Sequence, residues 1–519
     1  MGAQPEKGYT VKRTVSLVLS LMLLLCAFGA VWQVTCADEL PPAKPEGDMQ
    51  PPSDGEGQPP EKPSGEAGQP PEMPSGEAGQ PPEMPGEGQG NPPSDMPMGG
   101  GMSQGEPESY TAVRTLDADT EIDGETIYSE GTDENALLVT AGHVDVSDSV
   151  VIRENEASAG GDDASFYGVG AALLCTGGKL HLVNTEIRTD ANGAAGAFAY
   201  GEGTVTLKDC EIFTTGNTAG GIHAAGGGTL SAENVTVVTE GASSAAIRSD
   251  RGGGTMTVTG GSYTSKGTGS PAVYCTADIT VSDAALSAEG SEAVCIEGFN
   301  SLTLNSCTLE GYMRDDTAQN DCTWNIILYQ SMSGDSEIGC STFTMNGGTL
   351  TAHNGGMFYT TNTQSIFNLS GVTLVPAEEN DFLLRCTGNS NARGWGKTGA
   401  NGADCAFNAN AVSMVGDVYW DSISTLAFTM SNGSSLTGAF LQDESCTGGN
   451  TGSGSAALLI GSDCVWTVTG DSVLTDLTVR GSIADADGRE VKILAADGTV
   501  LHDGASAYTI TVTGTYTAE

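Results

Sequence analysis

The sequence predicts an all-β fold, a parallel β-solenoid of about twelve rungs, and two observations lead to this prediction. The first is a series of contiguous units of 23 to 26 residues, at 179–203, 204–228, 229–254, 255–277 and 278–300. The second is that the units carry apolar side chains at the same positions. Each unit opens with two small or apolar residues spaced by two, and a further large side chain follows eight residues after its first residue.

The unit 204–228 shows how each rung would be built. Val205 and Leu207 alternate as in a half-buried strand, Ile212 stands at the eight-residue offset, and Ile222 begins a third short strand. A single rung cannot bury these side chains, so stacked rungs must share one core. A sandwich of antiparallel hairpins is the competing fold, but it does not predict a fixed register of 23 to 26 residues.

The N-terminal segment 1–37 has the layout of a secretory signal peptide. Lys7, Lys12 and Arg13 precede an apolar run from Val15 to Val34, and a Thr-Cys-Ala sequence ends at Ala37. The run is near the length that spans a bilayer, so a retained N-terminal anchor is the alternative. The chain is therefore expected to be secreted or displayed at the cell surface, with membrane attachment only if this segment is retained.

Residues 38–108 are predicted to be a disordered, semi-rigid spacer rich in Pro, Gly and Glu. They contain 18 of the 21 prolines, and an eleven-residue unit repeats at 57–67 and 68–78. Such a composition buries too little apolar surface to fold. A Pro-rich ligand for the groove of a partner protein is the alternative.

The remaining chain is divided into a β-helix at 109–480 and a C-terminal β-hairpin cap at 481–519. Asp-Gly turns between alternating strands predict the cap, which would cover the last exposed rung. The net charge of −46 argues against nucleic acid or an anionic membrane as a partner.

The tiled units resemble the right-handed parallel β-helix superfamily, which includes pectate-lyase-like enzymes and adhesin-like surface proteins. The stretch VWTVTGDSVLTDLTV at 465–479 looks like the closing rungs of adhesin-like members. The spacer behind a signal segment is similar to that of secreted proteins of Gram-positive anaerobes. The resemblance covers roughly 110–480 and is specific for the fold but weak for function.

The sequence lacks the motifs that the enzymes of that superfamily carry. The nearest match to the Trp-x-Asp-His stretch of pectate lyases is Trp420-Asp421-Ser422, without the histidine. The Asp pairs 162–163 and 315–316 match only one of the four polygalacturonase motifs, and such pairs in turns are usually solvated charges. No catalytic residue is therefore assigned.

One candidate binding surface is a column of side chains beside the third strand: Phe198, His223, Arg248 and Tyr274. If Ile222, Ile247 and Val273 point into the core, these four point outward, one per rung, and they could stack on the sugars of a glycan. Ordinary variety of an outer face is the alternative.

A second candidate is the loop 386–405, which lacks the core pattern and is expected to protrude. It places Arg393, Trp395 and Lys397 together in an acidic protein, where Trp would stack on a sugar or Arg would bind a carboxylate. An insertion without a binding role is the alternative.

Eleven cysteines follow residue 37, and three pairs bracket irregular stretches: Cys386 with Cys405, Cys322 with Cys340, and Cys446 with Cys464. In a secreted protein these spacings predict disulfides, and an odd count leaves at least one thiol. No Cys/His spacing typical of a metal site and no cofactor motif is present. A weak calcium site at Glu154, Glu156, Asp162 and Asp163 stays open.

We therefore expect an exported, non-catalytic surface protein of adhesin-like or glycan-binding character, whose partner is an extracellular glycan or a component of a host or cell surface. The alternative is a polysaccharide lyase or glycoside hydrolase acting on acidic, plant or host glycans. Carboxylates or basic residues clustered along a groove of the solenoid would favour the enzyme.

Overall fold

A computed structural model describes residues 106–314, 319–450 and 452–519, and these are built almost entirely of β-strands. The predicted signal segment 1–37 and nearly all of the spacer 38–108 lie outside the described residues. The described part contains one α-helix, Asp162–Tyr167. Within that part, no helix has the length and apolar character needed to cross a membrane.

Three long sheets, here called A, B and C, form the body of the protein. In spatial order, the thirteen described strands of sheet A are Ala112–Leu116, Asn135–Val139, Leu173–Cys175, Ala197–Tyr200, Ile222–Ala225, Ile247–Ser249, Val273–Cys275, Val294–Glu297, Trp324–Tyr329, Gly356–Thr361, Leu384–Cys386, Val418–Trp420 and Phe440–Gln442. The fifteen of sheet B are Thr120–Asp123, His143–Ser147, Lys179–Val183, Thr204–Lys208, Gly228–Glu233, Gly254–Thr259, Asp278–Ser282, Ser301–Asn305, Cys340–Asn346, Gln364–Ser370, Asp404–Asn410, Thr425–Ser431, Ser455–Ile460, Asp476–Val479 and Tyr516–Ala518. The ten of sheet C are Thr126–Ser129, Val150–Arg153, Glu186–Thr189, Glu211–Thr214, Thr236–Thr239, Ser262–Ser265, Ala285–Ala288, Thr308–Gly311, Thr349–Ala352 and Thr373–Val375.

Two smaller sheets follow toward the C-terminus. Sheet D contains Ser413–Val415, Ser435–Gly438, Val465–Val468 and Ser482–Asp485, and sheet E contains Ser472–Leu474, Thr509–Val512, Lys492–Ala495 and Val500–His502. Lys492–Ala495 and Val500–His502 pair antiparallel, whereas the other paired strands of the described residues run parallel. The predicted cap therefore contains one hairpin, and its last strands return to parallel pairing.

The parallel sheets confirm the predicted β-helix and exclude the antiparallel sandwich. The chain visits sheets B, C and A in turn, and neighbours within a sheet come from successive rungs. The thirteen described strands of sheet A agree with the prediction of about twelve rungs.

The core consists of the side chains that the repeat predicts to point inward. Val205, Leu207, Ile212 and Ile222 are each at most 2% exposed. In the C-terminal half the core changes from aliphatic to aromatic, and Phe407 stacks on Phe428 with 4.7 Å between ring centroids. One continuous core thus runs along the stacked rungs.

The turn between sheets B and C explains a further regularity of the repeat. Asn184, Asp209, Asn234 and Asp283 occupy equivalent turns and all have φ between 48° and 55°. This left-handed conformation is costly for most residues but accessible to Asn, Asp and Gly. The Asn, Asp or Gly that recurs before most second strands therefore suits this backbone conformation, although Ser306 and Ala411 also adopt it, with φ of 54° and 56°.

Candidate functional site

The predicted column lies in register on the outer face of sheet A. Phe198 is the cross-strand partner of His223, His223 of Arg248, and Arg248 of Tyr274. The four side chains consequently stand one above another, as the alternation of the third strand predicts.

The prediction that this column is open to a glycan is wrong, because other segments cover it. Phe198 is 0% exposed and His223 is 1% exposed. Residues 154–171, inserted between a strand of sheet C and the next strand of sheet A, lie over the column. Arg248 Nη2 donates to Ser165 Oγ at 2.9 Å, and a Cβ on Gly168 would stand 3.0 Å from the Phe198 ring. The column is therefore covered by residues 154–171, and together they form a second packed layer on the outer face of sheet A.

Charged groups within this layer form a compact buried cluster. Asp250 Oδ2 lies 2.6 Å from Arg248 Nε and 2.9 Å from His223 Nε2. Burial lowers the pKa of His223 from 6.5, although Asp250 opposes the shift. Burial alone would raise the pKa of Asp250, but Arg248 and His223 outweigh it and the pKa is lowered. The cluster therefore consists of an ionised Asp–Arg pair beside a neutral imidazole.

A second buried cluster centres on the Glu297 carboxylate. Its Oε2 accepts hydrogen bonds from the Tyr274 hydroxyl at 3.1 Å and the Tyr329 hydroxyl at 3.0 Å, and its Oε1 accepts from the Ser331 hydroxyl. Burial is the largest effect and raises the pKa of Glu297 above 4.5 despite these donors. These bonds fasten the loop that begins at Ser331 to sheet A.

The loop 386–405 does not protrude as predicted but folds back onto sheet A. Trp395 is 7% exposed, and its ring centroid lies 4.5 Å from that of Tyr329. The guanidinium of Arg393 stacks over Trp395 and donates to Asn320 Oδ1 at 2.5 Å. Of the three predicted ligand-binding residues, only Lys397 is exposed. Trp395 is therefore engaged in internal packing, and its prediction as a sugar platform is wrong.

None of the three predicted disulfides is formed in the described residues, although the two cysteines of one pair lie close together. Cys322 is a free thiol whereas Cys340 is disulfide-bonded, so these two do not pair with each other. Cys446 and Cys464 are thiols, and Cys464 belongs to the core. Cys386 and Cys405 are also thiols but lie within hydrogen-bonding range, a contact that raises the pKa of Cys386.

An open groove with a volume of about 370 Å³ runs along the corner between sheets A and B. Its floor is formed by the turns 252–254, 276–278 and 299–301, which succeed one another along the rungs, and its wall by 335–337. Phe299 is 58% exposed at the edge of this groove. Among the described residues, the groove is thus one place where the rungs remain accessible from outside.

The wall of the groove is held rigidly against its floor. The backbone amide of Phe299 donates to the carbonyl of Glu337 at 2.8 Å, and Asn300 Nδ2 donates to Ser336 Oγ at 2.7 Å. Gly298 has a φ of 65°, and a Cβ at this position would stand 2.2 Å from Ser336 Oγ. The Asp335 carboxylate is paired with Arg251 Nη2 at 2.7 Å. Most of the groove is therefore preorganised.

The groove was not predicted from the sequence, although the repeat contains a signal for it. The units 204–228 and 229–254 end in glycine runs, whereas 278–300 ends in Gly-Phe-Asn. An aromatic residue in a turn otherwise made of glycine indicates a local change on the outer surface. The wall residues 335–337 come from a non-repeating insertion, and no periodicity places them.

The carboxylates considered for catalysis do not converge on a site. Asp421 is buried, accepts from the amides of Gly388 at 2.7 Å and Ile423 at 3.2 Å, and has a pKa raised by burial. It therefore fixes the start of the loop after Cys386. Asp162 and Asp163 lie exposed in the first turn of the short helix. The pair 315–316 lies outside the described residues.

The predicted calcium cluster at Glu154, Glu156, Asp162 and Asp163 does not bring three ligand atoms together, as judged from the part of the chain that the structure describes. A different group does meet this condition: His143, Asp145 and His181. These residues are separated by up to 38 positions in the sequence, so no local spacing motif identifies them.

Comparison with known proteins gives no match: no family model, no curated protein and no solved structure resembles the chain significantly.

Proposed function

We propose that this chain is an exported, non-catalytic β-helix surface protein, adhesin-like in character, that binds a glycan in the groove at Phe299. The observation that supports the proposal is the exposed aromatic ring of Phe299 beside polar side chains that are held in place by the rungs. Ligand sites commonly combine an apolar surface with a few fixed polar groups in a volume of about 300–1,000 Å³.

The residue types in the groove suit a sugar. The ring of Phe299 offers a flat apolar surface to the C–H face of a pyranose. The carboxylates of Asp278 and Glu337 can accept hydrogen bonds from sugar hydroxyls, and the Ser301 hydroxyl, which donates to Asp278 Oδ1 at 2.8 Å, keeps acceptor capacity. The rigid wall reduces the entropy cost of ordering these groups on binding.

The charge of the groove narrows the ligand class. Asp278, Asp335 and Glu337 contribute carboxylates, and the nearby Arg251 is already paired with Asp335. An acidic groove repels anionic ligands such as uronates. We therefore propose neutral glycans or glycans with free amino groups, in place of the acidic glycans considered from the sequence.

The proposal for location rests on the sequence alone. A signal-like segment at 1–37 and a Pro-rich spacer at 38–108 would export the β-helix and hold it away from the cell surface. Protease protection of intact cells and analysis of the culture supernatant would test this location.

A glycan array probed with the full chain tests the binding proposal. We expect binding to neutral or amino-sugar glycans, and we expect Phe299→Ala to weaken it by about ten-fold or more. Phe213→Ala is the matched control, because Phe213 is 40% exposed on the outer face of sheet C. Unchanged binding by Phe299→Ala, or no binding to any glycan, would refute the proposal.

The enzyme remains as a second candidate because of one observation, the carboxylates that line the same groove. Glycoside hydrolysis uses two carboxylates on opposite sides of the scissile bond. A reducing-end release assay with neutral glycans separates the two functions. If the native chain releases reducing ends and Glu337→Gln does not, the protein is a glycoside hydrolase and the binding proposal is wrong.

A further inference from the structure

The outer face of sheet B brings two histidines and an aspartate together near the N-terminal end of the β-helix. His143 and Asp145 lie two residues apart in the strand His143–Ser147, so they share one face. Asp145 is the cross-strand partner of His181, in the strand Lys179–Val183. The three side chains therefore form a triangle on one surface.

The distances in this triangle suit a single metal ion. Asp145 Oδ1 lies 3.2 Å from His143 Nε2 and 3.1 Å from His181 Nδ1, and all three ligand atoms lie within 4.8 Å of one another. Metal–ligand bonds of about 2.0–2.1 Å in a tetrahedral zinc site place neighbouring ligand atoms about 3.3 Å apart. Small side-chain rotations would therefore complete the coordination geometry.

The donor set selects a class of metal. Two imidazole nitrogens and one carboxylate oxygen suit zinc and neighbouring first-row transition metals, whereas calcium and magnesium prefer oxygen ligands alone. The side chains of His143, Asp145 and His181 are 50%, 51% and 38% exposed. A bound ion would thus keep positions open for water or for a donor from another molecule.

The surrounding charges add to the attraction for a cation. Glu121 is the cross-strand partner of Asp145 on the preceding strand, and Asp119 accepts the backbone amide of His143 at 2.9 Å. Lys179, the cross-strand partner of His143, contributes one opposing positive charge.

The other exposed histidines provide a contrast within the same chain. His353 meets one carboxylate, Glu310, at 2.9 Å, and His502 meets Glu490 at 3.5 Å. These are simple surface pairs of one histidine and one acid. Only at Asp145, among the described residues, do two histidines converge on one carboxylate oxygen.

We propose that His143, Asp145 and His181 form a surface site for a divalent transition-metal ion of the zinc class. The site is independent of the glycan groove, which is lined by other residues of later rungs. Such a site would let the protein bind environmental metal or use a bridging ion to join another molecule.

Isothermal titration of the metal-free full chain with zinc tests the proposal. We expect one strong site per chain in native protein, and a loss of about ten-fold or more in affinity in each of His143→Gln, Asp145→Asn and His181→Gln. His353→Gln is the matched control and should bind as the native chain does. Titration with cobalt(II) adds a spectroscopic readout, since its visible absorption reports the ligand set and should change in the variants.

Two results of the titration would contradict the proposed metal site. Zinc binding that persists unchanged in all three variants would place the ion elsewhere, for example at a thiol, and would overturn the proposal. Tight binding of calcium with no binding of zinc would also overturn it. Because the three substitutions are at exposed positions, an unchanged circular dichroism spectrum will show that each variant is folded.

Discussion

The imidazole of His223 stacks on the ring of Phe198 with 4.1 Å between centroids and 25° between ring planes, on the outer face of a β-helix and yet shielded from solvent. A solenoid of this kind usually buries only the side chains that point inward. Here the insertions at 154–171 and after Ser331 create a second buried layer on sheet A. Its charged and polar members give the protein a predictable response to pH.

His223 is expected to destabilise the fold in acid. Burial lowers its pKa in the folded state below 6.5, so the unfolded chain takes up a proton first as the pH falls. The stability contribution of the neutral imidazole is complete above pH 6.5 and is lost below it. Thermal unfolding between pH 7 and pH 5 should show a flatter decline for His223→Gln than for the native chain. His353→Gln, at an exposed histidine, should keep the native slope, and an identical slope in all three proteins would contradict the assignment.

Glu297 is expected to act in the opposite direction. Burial raises its pKa above 4.5, so the unfolded chain loses its proton first as the pH rises, and stability declines through the range above 4.5. Glu297→Gln keeps an oxygen for the hydroxyls of Tyr274 and Tyr329 but does not titrate. We expect this variant to gain stability relative to the native chain between pH 4.5 and neutrality. If the difference in unfolding free energy between Glu297→Gln and the native chain stays constant across this pH range, Glu297 does not titrate there.

Cys386 and Cys405 are expected to form a disulfide under oxidising conditions. On the preceding rung their cross-strand partners are Thr360 and Ser365, whose hydroxyls lie 2.8 Å apart, so this corner brings inward side chains into contact. Closing a loop of this length stabilises a protein by about 3 kcal/mol in the chain-entropy description. Peptide mapping without reduction should find Cys386 linked to Cys405. The variant Cys405→Ser should lack the stabilisation that the disulfide gives the oxidised native chain. If the two cysteine peptides are still unlinked after complete oxidation, the predicted disulfide is contradicted.

Phe407 is expected to carry a large share of the stability of the C-terminal rungs. It is fully buried, stacks on Phe428, and lies 5.4 Å from Phe358 across the core. Phe407→Ala should lower the free energy of unfolding by about 3–5 kcal/mol through lost burial and a residual cavity. Phe213→Ala should change it by less than about 0.5 kcal/mol, since that ring lies at the surface. Denaturant unfolding of both variants checks the difference, and comparable losses would contradict the described burial.

The sequence by itself determined the β-helix, its inward columns and its turns. Apolar residues recur at the positions of Leu207 and Ile212 because each rung must bury the inward face of its strands in the core. The position of Asn234 is Asn, Asp or Gly in most rungs because the backbone is left-handed there. Such constraints act within one rung and its neighbours, so the periodicity records them.

Only the tertiary structure decided which outer surfaces are covered and which distant groups meet. Whether the outward Phe198 column is exposed depends on an insertion that has no counterpart in other rungs, so strand alternation gives its direction but not its burial. The groove at Phe299 and the triangle at His143, Asp145 and His181 depend on residues that the stacking of rungs brings together from separate parts of the chain. Long-range packing fixes these features, and the spacing of residues along the chain does not encode them.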